Sequence, residues 1–243
     1  MSGELRAPAK LNLDLEILGL RPDGSHEIRT VIQAISLADE LRIEPAGVTE
    51  ITVEGFPAPA SAENLALRAA AALGTGCRIS LLKRIPPGAG MGGGSSDAAA
   101  VLRALGIGRP DLADLAAALG ADVPFFLRGG RAVATGRGDE LQPVPDEDGW
   151  YALAWPGIEL STAAVYRAWD EVGGDGRNHL FRAACAVEPR LAAFAAQLGA
   201  GWRMTGSGSA FFREAGTEKE AAEAAAGIEG CWTAVARALP AWA

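Results

Sequence analysis

Residues 86–100, Pro86 to Ala100, read PPGAGMGGGSSDAAA. Gly88, Gly90, Gly92, Gly93 and Gly94 crowd into this stretch, then Ser95, Ser96 and Asp97 lead into an Ala/Val/Leu run. Glycine loses more backbone freedom on folding than any other residue. So many in one loop answer to a requirement, either positive φ or a partner that must approach the backbone. Ser-Ser-Asp ahead of an apolar run is an N-cap signal and predicts a helix over about Ser96–Leu105. A glycine loop feeding a helix N-terminus presents unpaired N–H groups and the positive end of the helix dipole, which predicts a phosphate-type anion site. The plainer alternative is a surface turn before an ordinary helix.

Outward from the loop, Cys77–Ile85 alternates as a strand, preceded by a helix over Glu63–Leu73 with Ser61 as its cap. Before that, Leu11, Leu13, Leu15 and Ile17 alternate with polar residues as one strand, with Lys10 at its start. Further strands are predicted at Glu27–Leu37, Glu40–Glu44 and Thr49–Val53, so the opening is antiparallel in character. Beyond the loop, Asp111–Leu119 is a helix, Gly120–Gly130 a turn into a short apolar run, and Arg131–Thr135 and Glu140–Val144 are strands. The polar segment Pro143–Asp148 marks a boundary between domains at 1–146 and 147–243. The second part reads as strands at Trp150–Trp155, Trp202–Met204, Ala210–Arg213 and Cys231–Ala238. Its helices fall near Thr162–Val172, His179–Ala186, Pro189–Leu198 and Glu218–Ala226. Strands and helices mix without strict alternation, which predicts an α+β fold.

The 243 residues carry a formal net charge of −8, against the basic balance of a nucleic-acid binder. Cys77, Cys185 and Cys231 are too few and too scattered for a disulfide framework or a zinc site, which fits a cytoplasmic protein. The first residues lack a signal-peptide run, and no stretch is apolar enough to span a bilayer.

Three nucleotide-loop patterns compete. A Walker loop fails, since Gly-Lys-Ser/Thr occurs nowhere. The dinucleotide pattern is matched literally by Gly88, Gly90 and Gly93, but Pro86-Pro87 break the turn and no second strand ending in an acid follows. The third is the loop of the GHMP small-molecule kinases, which residues 86–100 resemble closely. Three further blocks are similar to that superfamily in order and spacing: APAKLNLDLEILGLRPDGSHEI at 7–28, GADVPFFLRGG at 120–130 and MTGSGSAFF at 204–212. Together they resemble its branch acting on a cytidylyl methylerythritol in non-mevalonate isoprenoid biosynthesis.

The resemblance implies a two-domain fold, with a mixed sheet-plus-helix N-terminal domain and a smaller α/β-sandwich C-terminal domain. It implies ATP-dependent phosphorylation of an alcohol, with Mg²⁺ neutralising charge between the phosphates. No magnesium ligand set is readable, Ser96 and Asp97 being weak candidates. Lys10 and Asp122 match the catalytic pair. Pro86, Pro87, Gly88, Ala89, Gly90, Met91, Gly92, Gly93, Gly94, Ser95 and Ser96 match the ATP loop, with Asn64 on the adenine side and Lys83 as local positive charge. Replacing Gly92 or Gly93 by Val is expected to weaken ATP binding far more than stability. Asn12, Ser25, His26, Tyr166, Gly206, Ser207 and Gly208 are the substrate-side candidates, with His26 at the cytosine. Taken alone, Asp122 could equally be a turn residue or helix cap, Tyr166 a core aromatic and TGSGS a plain hairpin turn. The chain departs from the family at Ser25, where Tyr is usual, in the short segment from Tyr166 to Asn178, and at His179 after Asn178. Other kinases of the superfamily, for mevalonate, homoserine or a sugar, and a silent nucleotide- or RNA-binding module are the alternatives. Neither nucleic acid nor membrane is an expected partner, and oligomeric state is not legible.

Overall fold

One long strand organises the first half of the chain. In a computed structural model, which describes residues 4–242, β3 runs unbroken from His26 to Pro45. The sequence had predicted two strands here, separated near Ala38-Asp39. Asp39 does not break the strand because it is fully buried and fully bonded, accepting from the Arg84 and Ile85 backbone N–H groups and from Lys83. β3 pairs along one edge with β1 (Glu4–Asn12) and β2 (Glu16–Leu20), and along the other with β5 (Cys77–Lys83) and β6 (Arg131–Thr135). β4 (Glu50–Gly55) adds in parallel to β5, and β7 (Glu140–Pro143) antiparallel to β6, completing a 7-stranded sheet. The β1–β3 register shifts between Pro8 and Ala9, where proline has no N–H to give to the ladder.

The alternation at Leu11–Ile17 also divides differently from its prediction. β1 ends at Asn12 and β2 begins at Glu16, because Asp14 turns to bond the Val31 N–H and its carbonyl accepts from Thr30. Lys10 therefore lies near the end of a strand rather than at its start.

Against this sheet pack α1 (Leu65–Leu73), α2 (Gly93–Leu105), α3 (Leu112–Leu119) and α4 (Val123–Arg128), burying Leu41, Ile79, Leu102, Phe125 and Phe126 among them. Asn64, not Ser61, caps α1, its Oδ1 accepting from the Ala66 N–H. α2 starts earlier than predicted: Gly92 is its N-cap, so Ser95, Ser96 and Asp97 lie inside the helix and cap nothing.

The second unit is a 4-stranded antiparallel sheet in the order β11 (Trp232–Arg237), β8 (Trp150–Trp155), β10 (Phe211–Ala215), β9 (Arg203–Met204). α8 (Glu218–Ala226) contributes Ala221 and Ala225 against β8, while α5 (Thr162–Val172), α6 (Phe181–Val187) and α7 (Arg190–Leu198) bury Val165, Leu180 and Leu191 in a second core. A third core joins the units: Leu11, Ile35 and Met91 from the first meet Tyr151, Leu153 and Phe212 from the second. Beyond β11 the chain returns to the first unit, where the Leu239 N–H donates to Ala34 and Trp242 lies under Arg103. The α+β class and the two-part organisation agree with the sequence expectation.

Candidate active site

A cavity of about 590 Å³ opens along the seam of the two units. Its floor is the end of β1. Lys10 reaches it by a backbone hydrogen bond to Met91 of the glycine loop, 3.0 Å. The Lys10 ammonium donates to Asn12 Oδ1 and stands 3.5 Å from Asp122 Oδ2. Lys10 is almost wholly buried, whereas the Asp122 side chain keeps 34% of its exposure and faces the opening. Asn12 has little left for a ligand. Its amide donates to Thr30 at 2.8 Å, its backbone N–H donates to Thr205 at 2.8 Å, and its Oδ1 holds Lys10. Thr30 carries no motif signal, and Thr205 lies inside the 204–212 block, where the sequence pointed instead to Gly206, Ser207 and Gly208.

The glycines divide into two jobs. Gly88, Ala89 and Gly90 clasp the second unit: the Ser209 and Ala210 N–H groups donate to Gly88 and Ala89, and a Cβ on Gly90 would drive into the Thr205 carbonyl. Gly92 has φ +72°, and a Cβ there would meet the Phe126 ring at 2.9 Å. A Cβ on Gly93 would lie 3.1 Å from Lys83 Nζ and 3.3 Å from Asp39 Oδ2. Valine at Gly92 or Gly93 therefore strikes the protein itself, which removes the expectation that it would spare stability. Gly94 alone in this run is open, with only Leu65 in reach at 3.7 Å. That open first turn of α2 suits an anion drawn to free helix N–H groups, so the residues present fit a nucleotide phosphate.

Lys83, expected as a phosphate-side cation, is a core ion instead. Its ammonium is held between Asp39 and Asp97, the latter at 2.8 Å, with all three side chains buried. Burial by itself would lower the Lys83 pKa, but Asp97 and Asp39 outweigh it and hold it above the usual value. Burial raises Asp97 to about 7, Lys83 only partly offsetting it. Ser96 is fully buried with an unpartnered hydroxyl and lies off the cavity wall, and among the described residues no cluster of three His, Cys, Asp or Glu could hold a metal. Magnesium entering with the nucleotide would be held through its phosphates and water. Pro86, Pro87, Met91 and Ser95 line the wall, as does Asn64, whose amide is spent on Pro59 and the α1 cap.

The substrate-side candidates separate. Tyr166, Gly206 and Ser207 line the cavity, Ser207 sharing a 2.9 Å hydrogen bond with Thr162. Burial, then the charge of Asp122, raises the Tyr166 phenol to about 12. His26 packs its ring on Tyr166 at 4.9 Å, edge-on to Trp169, with Nε2 2.7 Å from Asp170. The structure places it behind Tyr166, off the wall. Ser25 turns away to bond Asp23, and Gly208 packs on Met204 and Leu160, so neither reaches the cavity. Arg137, which the sequence did not suggest, does line it.

Residues 62–130 match the family model described as GHMP kinases N terminal domain. A relative from Pseudoalteromonas translucida, named 4-diphosphocytidyl-2-C-methyl-D-erythritol kinase, is 36% identical over an alignment of 257 positions, gaps included, that covers 95% of this chain and 90% of its own. The chain belongs to the 4-diphosphocytidyl-2-C-methyl-D-erythritol kinase family. A second member, from Solibacter usitatus, is 51% identical over 176 residues, 67% of this chain, and the match spans 56% of that longer relative. A crystal structure of 4-(cytidine 5'-diphospho)-2C-methyl-D-erythritol kinase aligns with TM-score 0.77 at 39% identity, covering 96% of this chain and 99% of its own. A mevalonate kinase from L. major shares the fold, with TM-score 0.70 at 16% identity. Membership of this family makes the chain a small-molecule kinase, and a kinase of this family uses ATP.

Proposed function

We propose that this chain transfers the γ-phosphoryl group of ATP to the 2-hydroxyl of 4-diphosphocytidyl-2-C-methyl-D-erythritol, a step of non-mevalonate isoprenoid biosynthesis, in the cytoplasm. The observation that carries the reading is the Lys10–Asp122 pair, 3.5 Å apart on the floor of a cavity whose rim holds both the open turn at Gly94 and Tyr166.

Asp122 is the exposed member of the pair and accepts the proton of the attacking hydroxyl. Lys10 cannot move far, being fixed by Asn12 and by its backbone bond to Met91. Its fixed charge faces Asp122 at 3.5 Å and steadies the oxygen that attacks and the phosphoryl that moves. The first turn of α2 holds the nucleotide phosphates through its free N–H groups. Mg²⁺ bound with the nucleotide supplies charge neutralisation between the phosphates. Tyr166 offers a flat apolar face to the base of the alcohol substrate. Neither nucleic acid nor a membrane is needed.

A panel of alcohols tests this: the cytidylyl substrate, mevalonate and homoserine, each with ATP–Mg²⁺. Turnover of the cytidylyl compound alone is expected. Phosphorylation of mevalonate with none of the cytidylyl compound sinks the reading.

A further inference from the structure

The cavity wall is poor in usable positive charge. Its cations are Lys10, Lys83 and Arg137, against the carboxylates Glu63, Asp97, Asp122 and Glu159. Lys10 faces Asp122, and Lys83 is locked between Asp39 and Asp97. Only Arg137 combines a place on the wall with an accessible head, its side chain keeping 52% of its exposure. It rides on the turn from β6 to β7. Gly136 accepts from the Ile28 N–H at 2.8 Å and donates to Glu27, fastening the turn to the start of β3. Asp139 takes one guanidinium nitrogen at 2.9 Å and also accepts from the Arg137 backbone N–H. That grip sets the direction of the side chain, and the remaining N–H groups have no protein partner among the described hydrogen bonds.

The position is informative. Ile28 and Leu15 line the cavity at this end, with Tyr166 close by through His26, two residues before Ile28. Tyr166 and Asp122 line the same cavity, so a ligand with its base on Tyr166 and its alcohol at Asp122 fits one continuous path. Whatever links those two groups passes the wall that Arg137 occupies. Building on the proposed substrate, whose base and alcohol are joined by a diphosphate, we propose that Arg137 binds that diphosphate and that Asp139 positions it. The planar guanidinium fork suits two phosphate oxygens at once, and such charge-assisted bonds are the strong ones. The α1 side of the cavity, where Asn64 and Leu65 lie, belongs to the nucleotide that donates the phosphoryl group.

The test is Arg137→Gln, at an exposed turn where folding is undisturbed. The loss should fall on KM for the cytidylyl alcohol, raised about tenfold to a hundredfold, with the KM for ATP unmoved. Inhibition by CDP and by cytidine, at saturating ATP, separates the diphosphate from the base. CDP should weaken by the same factor while cytidine keeps its wild-type constant, and Arg137→Lys should recover part of the loss as a point charge. Equal weakening of CDP and cytidine, unchanged CDP inhibition, or a raised KM for ATP overturns the assignment. A wild-type enzyme that neither CDP nor cytidine inhibits refutes the substrate reading itself, whereas normal wild-type inhibition that survives in Arg137→Gln refutes only the role of Arg137.

Discussion

Gly94→Ala should make the protein more stable and a worse ATP binder. Gly94 is the second residue of α2, is exposed, and lacks the positive φ of Gly92. A methyl group there makes ordinary contact with Leu65 at 3.7 Å and nothing else in the protein. Replacing glycine by alanine inside a helix stabilises by about 0.5–1 kcal/mol. For a chain of this size that corresponds to a rise in Tm of about 1–4 °C. The same methyl occupies the space where a phosphate would meet the N–H groups of the first turn. Losing one charge-assisted bond of about 1.5–3 kcal/mol weakens ATP binding about tenfold to a hundredfold. Thermal melts without ligand and calorimetry with ATP–Mg²⁺ read the two effects separately. Gly92→Ala is the control. Its φ of +72° and the Phe126 ring at 2.9 Å make it destabilising, by at least about 1–2 kcal/mol from the backbone alone. If Gly94→Ala melts higher and binds ATP as the wild type does, the first turn of α2 is not the phosphate cradle.

Asp122→Asn should fold, bind both substrates and lose about 10²–10⁴-fold in kcat, with Lys10→Met comparably slow; near-normal turnover in Asp122→Asn would mean that another group takes the proton. Tyr166→Ala should raise KM for the cytidylyl alcohol and leave that for ATP unchanged, and an unaltered KM would make the ring a core residue supporting His26. Asp97 gives a pH signature. Its carboxyl is raised from 3.8 to about 7 in the folded chain, so between those values the folded state holds a proton that the unfolded state has lost. Its contribution to stability is therefore lost as pH rises through that window. Asp97→Asn removes this titration, so the stability of the variant relative to wild type should increase from about pH 5 to about pH 7.5 in urea unfolding, and a constant difference would refute the assignment.

Much of the fold was legible because hydrophobic period and glycine placement are local. The strand at Cys77, the helix after the loop and the helices of the second unit lie within a few residues of their predicted bounds. The failures share a cause. The sequence reading splits β3 into two strands that leave out Asp39. Here Lys83 comes from 44 residues away to neutralise it, and no local reading can see that. Ser-Ser-Asp looked like a cap for the same reason: Gly92 starts the helix first, and Asp97 is then needed inside as the third member of the buried ion cluster. Both errors come from treating charge as a surface property when its partner is remote in sequence.

The site shows the complementary limit. Lys10 and Asp122 could be singled out only through resemblance, since a strand lysine and a turn aspartate have ordinary uses; their 3.5 Å approach depends on β1 and α4 meeting. Arg137 carries no motif at all, and its relevance follows from register, because the Gly136 carbonyl bonds to Ile28 and so brings the turn to the cavity. The glycine loop is the harder lesson. Its glycines all look like phosphate contacts, yet Gly90 is required by the Thr205 carbonyl, Gly92 by Phe126 and a left-handed backbone, and Gly93 by Lys83. Only Gly94 has room that the protein itself does not use. A glycine-rich motif therefore reports two demands together, close packing of the chain on itself and close approach of a ligand. Separating them requires knowing what stands where each Cβ would be, which is why substitutions along one loop should differ in sign on stability.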